Sequence, residues 1–240
     1  MNTALPPIHE IWVYLSGSPL LALTLTLAAW QAGQWLYLRS GRNPLVNPVA
    51  LAVLLVAGAI LAIDMPYATY FEGAQFVHFL LGTATVALAV PIHRGFDAIR
   101  GRLLPMLAAV IGGGVVSIGS ALAVAHLLAL PESLRQGLWA KSVTAPIAMG
   151  VAERIGAAPT LTAVYAVLTG VLGAALGRFV LDAVGSRPWW QRGAAIGIAA
   201  HGIGTSRAFT VHPDAGAWAS LAMGLHGVLG ALLIPLAFGL

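Results

Sequence analysis

The chain reads as long apolar runs separated by short polar turns. Runs at residues 20–38, 49–63, 76–92, 103–130, 159–181, 194–208 and 217–240 carry few charges. Apolar stretches of this length, without strict alternation, predict membrane helices rather than the strands of a barrel. The expected fold is an all-α polytopic membrane protein with about seven to eight membrane segments. A short aromatic run from Ile11 to Leu15 is expected to lie in the interface before the first span, and Trp35, Tyr37 and Arg39 to anchor that span's end.

Two of the runs depart from a plain spanning helix. Lys141-Ser-Val-Thr144-Ala-Pro146 opens with a cation and hydroxyls and carries a proline. A lysine in hydrocarbon costs about 2.5–3.5 kcal/mol on insertion scales, so Lys141 is expected to face a cavity or a partner. Proline suits a helix's first turn and not its interior, which predicts a short helix starting near Pro146. The pattern Thr83-Ala-Thr85-Val-Ala-Leu-Ala-Val90 resembles Thr144-Ala-Pro146-Ile-Ala-Met-Gly-Val151, with half of the positions identical. Both copies fall in interrupted runs, and paired broken segments in two halves of a membrane protein point to a binding site. The expected breaks are near Gly82–Thr83 and Thr144–Ala145, approaching each other inside the membrane.

Charge refines the topology. Arg39 and Arg42 mark one cytoplasmic loop, and His93, Arg94, Arg100 and Arg102 a stronger one. Asp64 and Glu72 fit the outside. The basic loop at Arg187 and Arg192 falls inside only if the Lys141–Arg154 segment re-enters, which would also invert the two copies. Arg178 and Asp182, four apart, are placed to pair on one helix face. The chain divides as a single membrane domain over 1–240: an N-terminal segment and first span (1–46), a first repeat region (47–130) and a second (131–240).

Composition agrees with this reading. Hydrophobic residues make up 59% and charged residues 8%, against about 25% charged in soluble domains. The net charge of +4 has no clustered basic tail, so nucleic acid is not an expected partner. Without cysteine there is no disulfide, thiol catalysis or thiolate metal site. No HExxH, G-x-S-x-G or P-loop occurs, so neither an enzyme nor a metal site is expected.

FLLGTATVALAVPIH from Phe79, KSVTAPIA from Lys141 and AAHGIGTSRA from Ala199 resemble the signature segments of the LrgB/CidB family. The resemblance runs from about Asn47 to the C-terminus. Thr83 stands where relatives usually have proline, and Ala145 where threonine is common. The resemblance implies two competing functions. One is secondary transport of a small monocarboxylate, similar to the LrgB-like part of the plastidal glycolate/glycerate translocator and to relatives linked to pyruvate. The other is a holin/antiholin-like role modulating murein hydrolase activity and autolysis in a bacterial cytoplasmic membrane. Implied partners are the bilayer, a small carboxylate, an LrgA/CidA-type small membrane protein and a second copy of the chain.

On the transport reading, which the sequence favours, the candidate substrate-binding residues are Thr83, Thr85, Lys141, Ser142, Thr144, His201, Thr205, Ser206 and Arg207. Hydroxyls and helix N-termini would donate to the carboxylate, while Lys141 and Arg207 would supply charge. Each has a plainer alternative: a snorkelling lysine, hydroxyls bonded to their own helices, a packed histidine, a boundary arginine. His201 titrates near neutrality and is the first candidate for ion coupling, with Glu153 second. H+ is the expected coupling ion and Na+ the alternative; no cofactor is expected. His126 and His226 are read as structural.

Overall fold

The computed structural model describes residues 19–87, 90, 93 and 101–240, and the described residues form helices and turns only. The expected interfacial segment at Ile11–Leu15 and the basic loop at residues 94–100 lie outside them. The chain forms two compact units, residues 1–84 and 85–240.

In the first unit, α1 (Pro19–Arg39) packs against α2 (Pro48–Ala62) and α3 (Tyr67–Gly73). Asn47 caps α2 by accepting from the Val49 and Ala50 amides at 2.9 and 3.1 Å, with Pro48 in the first turn. Thr26 of α1 bonds the Tyr70 hydroxyl of α3 at 2.7 Å. Arg39 lies over the Trp35 ring, as an end anchor should, whereas Tyr37 is buried.

The helix α4 (Gln75–Ala87) corrects one expectation. It continues through Gly82 and Thr83, so the break expected there is absent. The Thr83 hydroxyl donates to the Leu80 carbonyl of its own helix at 2.9 Å, which is the plainer of its two roles. With threonine where relatives have proline, nothing removes a backbone donor at this point.

The second unit holds α5 (Leu103–Leu127), α6 (Glu132–Arg135), a 3-10 turn (Gln136–Ala140), α7 (Ala145–Arg154), α8 (Pro159–Ala183), α9 (Trp189–Val211) and α10 (Pro213–Ala237). Among the described residues, α5, α8 and α10 are long and apolar enough to cross a membrane, and α2 is apolar but shorter.

The course of α9 is the main surprise. His201, in its middle, has φ 39° and ψ −131°, a conformation rarely adopted by a residue with a side chain. There the chain doubles back, making two antiparallel half-helices. Trp189 at one end stacks on His212 just past the other, ring centroids 4.8 Å apart and planes within 8°. A straight helix over that range would separate them by about 35 Å. A Cβ added to Gly204 would lie 3.1 Å from the Ile196 carbonyl oxygen, across the hairpin. The run expected as a span at 194–208 is thus a hairpin whose tip is His201.

Small residues clasp this hairpin. A Cβ at Gly193 or Gly197 would run into the carbonyls of Ala215 or Ala219 on α10. On the other side Gly170, Gly173 and Gly177 of α8 face His201, Ala200 and Ile196. Such spacing lets helix backbones approach closely where lipid supplies no hydrophobic drive. The same pairs fix direction: the first half of α9 runs parallel to α10 and antiparallel to α8. Met106 and Val110 of α5 cluster with Ala194, Ile198, Trp218 and Leu221, and Gly114 faces His226. Hence α5 runs parallel to α10 and antiparallel to α8.

That arrangement decides the Lys141 segment. The C-terminus of α5 and the N-terminus of α8 sit at the same end of the unit. Residues 128–158 therefore leave from and return to one end, as a second hairpin. Gly137 packs on Thr162 and Tyr165 near the start of α8. Ala140, Val143, Ala148, Ala152, Ile155 and Ala157 share one buried cluster with Ala166 and Ile234. The α9 hairpin enters from the opposite end.

This packing makes a contrast measurable. Gly197→Val should destabilise the protein by about 1–3 kcal/mol through overpacking. Gly112→Ala, with nothing within 4 Å of its added Cβ, should be nearly neutral. Unfolding of the two purified variants in mixed micelles, compared with the parent, checks the pair.

Candidate functional site

Two hairpin tips face each other across the second unit. The first tip is the turn Lys141–Thr144. Thr144 takes an extended conformation (φ −60°, ψ 145°) before α7, and Pro146 occupies the first turn, as the sequence predicts. The Thr144 side chain makes no cap bond, and its Oγ1 is buried without a hydrogen-bond partner among the described residues.

Lys141 reaches Ser117 in the middle of α5. Its Nζ donates to Ser117 Oγ at 2.7 Å and to Ser142 Oγ at 3.1 Å. The two serine oxygens are themselves 2.6 Å apart, closing a triangle. Ser142 is buried and Lys141 half-buried. Among the described residues no carboxylate lies within ion-pair distance of Lys141. Among the described residues, the imidazoles of His201 and His226 lie near enough to feel the charge of Lys141.

The second tip is His201, buried at 4% exposure. Its Nε2 lies 2.8 Å from the Ala166 carbonyl of α8. A carbonyl only accepts, so Nε2 carries the proton. This bond offsets part of the strain at His201, which such backbone costs at about 1–3 kcal/mol. Gly170 leaves room for the ring: a Cβ there would lie 2.7 Å from Cε1. Four residues on, Thr205 is buried and donates to Met223 Sδ at 3.6 Å. His226 of α10 is buried against Gly114 and faces the Val110 backbone.

The structure thus groups Lys141, Ser142 and Thr144 at one tip and His201 at the other, with Thr205 behind it. Ser206 is exposed. Arg207 sits six residues past the tip, about 9 Å along the half-helix, where its Nη1 donates to Thr210 at 3.1 Å. Glu153 is exposed in the last turn of α7. Thr83 belongs to the first unit, and the side chain of Thr85 lies outside the described residues. One residue of the cluster, Ser117, is not singled out by the sequence reading. Ser117 is a lone hydroxyl facing inward from an apolar span, and His226, expected to be structural, is buried where Gly114 leaves room for its ring.

The base of the α9 hairpin is tied ionically. Asp182 takes Arg192 at 2.8 Å and Arg178 at 3.6 Å, the latter the pair expected four apart. Arg192 also donates to the Ser186 carbonyl at 2.7 Å and lies over Trp189. The basic loop is therefore fastened to the stacked Trp189–His212 pair.

Apolar spans clasping two opposed hairpins, with a half-buried lysine at one tip, define an all-helical integral membrane protein. The chain belongs to the LrgB-like family, whose model matches residues 26–240. It is 31% identical to YwbG of Bacillus subtilis, over 90% of this chain and 96% of that protein. It is 31% identical to YxaC of the same organism, over 90% and 94%. The holin-like protein CidB of Staphylococcus epidermidis is 27% identical over 80% and 84%. No solved structure matches the chain.

The doubling of α9 is directly testable, because the protein has no cysteine of its own. A Trp189→Cys/His212→Cys pair should cross-link within one chain with a short thiol reagent. A Trp189→Cys/His201→Cys pair, from base to tip, should not. Mobility of a protease-nicked chain on a gel reads the difference.

Proposed function

We propose that this protein is a holin/antiholin-like component of a bacterial cytoplasmic membrane, modulating murein hydrolase activity and autolysis. The observation that carries the proposal is the family match over residues 26–240 together with similarity to the holin-like CidB proteins of two staphylococcal species. This reverses the order that the sequence reading favours. Such a role is non-catalytic, and a small CidA-type membrane protein is the expected partner.

A second reading, secondary transport of a small monocarboxylate coupled to H+ or Na+, rests on geometry. In this reading both hairpins are re-entrant, entering the bilayer from opposite faces and meeting near its middle. Irregular backbone at membrane depth needs cover from protein, and the glycine face of α8 and the alanine face of α10 supply it for α9. Opposed interrupted elements meeting at the midplane are how many carriers hold a small ion. The inverted pair is then α5 with the Lys141 hairpin and α8 with the His201 hairpin, rather than the Thr83 and Thr144 copies.

The two readings separate in one host. A strain lacking its own relatives, expressing the chain alone or with a CidA-type partner, is assayed for autolysis rate and murein hydrolase activity. A change in both, relative to a membrane-inserted His201→Ala, Lys141→Met control, supports the holin-like proposal. Parent-like autolysis together with saturable carboxylate uptake in proteoliposomes would replace it with transport.

A further inference from the structure

We propose that Arg102, seated on Trp190 and Trp218, is a site for one phosphate-ester anion, the headgroup phosphate of an anionic phospholipid lying along α5. The site rests on the unit's being in a bilayer and on neither functional reading. It is also distant from the hairpin tips. Ser117, where Lys141 lands, is fifteen residues further along α5, about 22 Å away.

Three helices converge on one cation. Arg102 immediately precedes α5, Trp190 is in the first turn of α9 and Trp218 in the second turn of α10. The guanidinium carbon lies 5.3 Å from the centre of the Trp190 ring and 5.7 Å from that of Trp218. The two rings are themselves 6.0 Å apart and tilted by 57°. Trp218 is buried and Arg102 is exposed, so the aromatic seat is fixed while the cation stays open to a ligand. Arg39 rests on one tryptophan of its own helix, as an end anchor does. Arg102 is held by two, each from another helix.

The rings attract the charge but leave its hydrogen bonds unmade. A guanidinium has five N–H donors, and an indole N–H is itself a donor. Among the described residues the Arg102 side chain has no ion pair and no hydrogen bond. The acids at this end are engaged elsewhere: Asp182 with Arg178 and Arg192, and Asp214 beside His212 at 3.8 Å. No side chain caps α5, so its first-turn amides add partial positive charge at the same point. The group that completes the site is therefore an anion with at least two oxygens in one plane, which the guanidinium fork binds bidentately.

The surroundings select an amphiphile. Ala109 and Val116, seven and fourteen residues on, share the face of α5 that begins at Arg102. Both are exposed, and a Cβ added to Gly112 between them would meet nothing within 4 Å. This apolar track runs about 21 Å from the cation, enough to line the ~15 Å hydrocarbon depth of one leaflet. A charged head at the tryptophan level with a chain directly beneath it is the shape of a phospholipid.

Native mass spectrometry of the delipidated full chain in neutral detergent micelles tests the site. The probes are dioleoyl phosphatidylglycerol, the matching phosphatidylcholine and diacylglycerol, oleate, and inorganic phosphate as competitor. One phosphatidylglycerol per chain should be retained saturably, phosphatidylcholine and oleate more weakly, and diacylglycerol not at all. Arg102→Gln should weaken retention about tenfold, as loss of hydrogen bonds to a charged group does. Arg102→Lys, which keeps the charge but loses the planar fork, and Trp190→Leu should each weaken it about threefold. Arg187→Gln removes an equal charge from the exposed loop at the same end and should retain lipid as the parent does. Should Arg102→Gln fail to fold, Arg102→Lys and Trp190→Leu decide. Parent-like retention in folded Arg102→Gln, an equal loss in Arg187→Gln, or equal retention of diacylglycerol or oleate would overturn the proposal. Displacement of the lipid by millimolar phosphate in the parent, absent in Arg102→Gln, would uphold the phosphate site and assign it to the soluble ion instead of the lipid.

Discussion

A polypeptide that turns back inside an apolar bundle must be covered by protein at the turn, since lipid offers its backbone no hydrogen bonds. The rest of the second unit follows from that constraint. The α9 hairpin reverses at His201, and α8 and α10 close on it from both sides through glycine and alanine. Only such small side chains bring the backbones close enough to exclude lipid. The His201 ring then reaches the Ala166 carbonyl and helps hold a backbone geometry that histidine would not choose. α10 is consequently the most enclosed helix: its candidate span is 56% buried, against 6% for α5.

The same constraint explains the second hairpin. Residues 128–158 begin and end beside α8's start, and their tip meets α5 through a lysine and two serines rather than through glycine. One tip is thus closed by packing and the other by polar contacts. Packing has few alternatives once backbones interlock, whereas a lysine bonded to hydroxyls can exchange them for a better acceptor.

Much of this was legible in the sequence, and the failures are instructive. Pro146 and the polar run before it located the start of α7, because a missing N–H and a fixed φ suit one place in a helix. The Asn47-Pro48 start of α2 and the Arg178–Asp182 pair were legible for similarly local reasons. The resemblance of the Thr83 copy to the Thr144 copy does not carry a break, because the residue that breaks the helix, proline, is missing from it. The α9 hairpin was hidden because residues 194–208 have the apolarity of a span, and hydropathy carries no sign of direction. Its reversal rests on one backbone torsion and on glycines whose partners lie on other helices. Ser117 is illegible for a related reason: the pattern along one helix does not tell which neighbour a lone polar residue meets.

The central claim is that the unit is built from two hairpins entering from opposite ends. Single cysteines at Ala129, Gly156, Gly185 and His212, read with a membrane-impermeant thiol reagent in sealed right-side-out and inverted vesicles, address it most directly. The account predicts that Ala129 and Gly156 label from one side, and Gly185 and His212 from the other. Labelling of Ala129 and Gly156 from opposite sides, or of Gly185 and His212 from opposite sides, would show that the chain crosses where it is said to turn back.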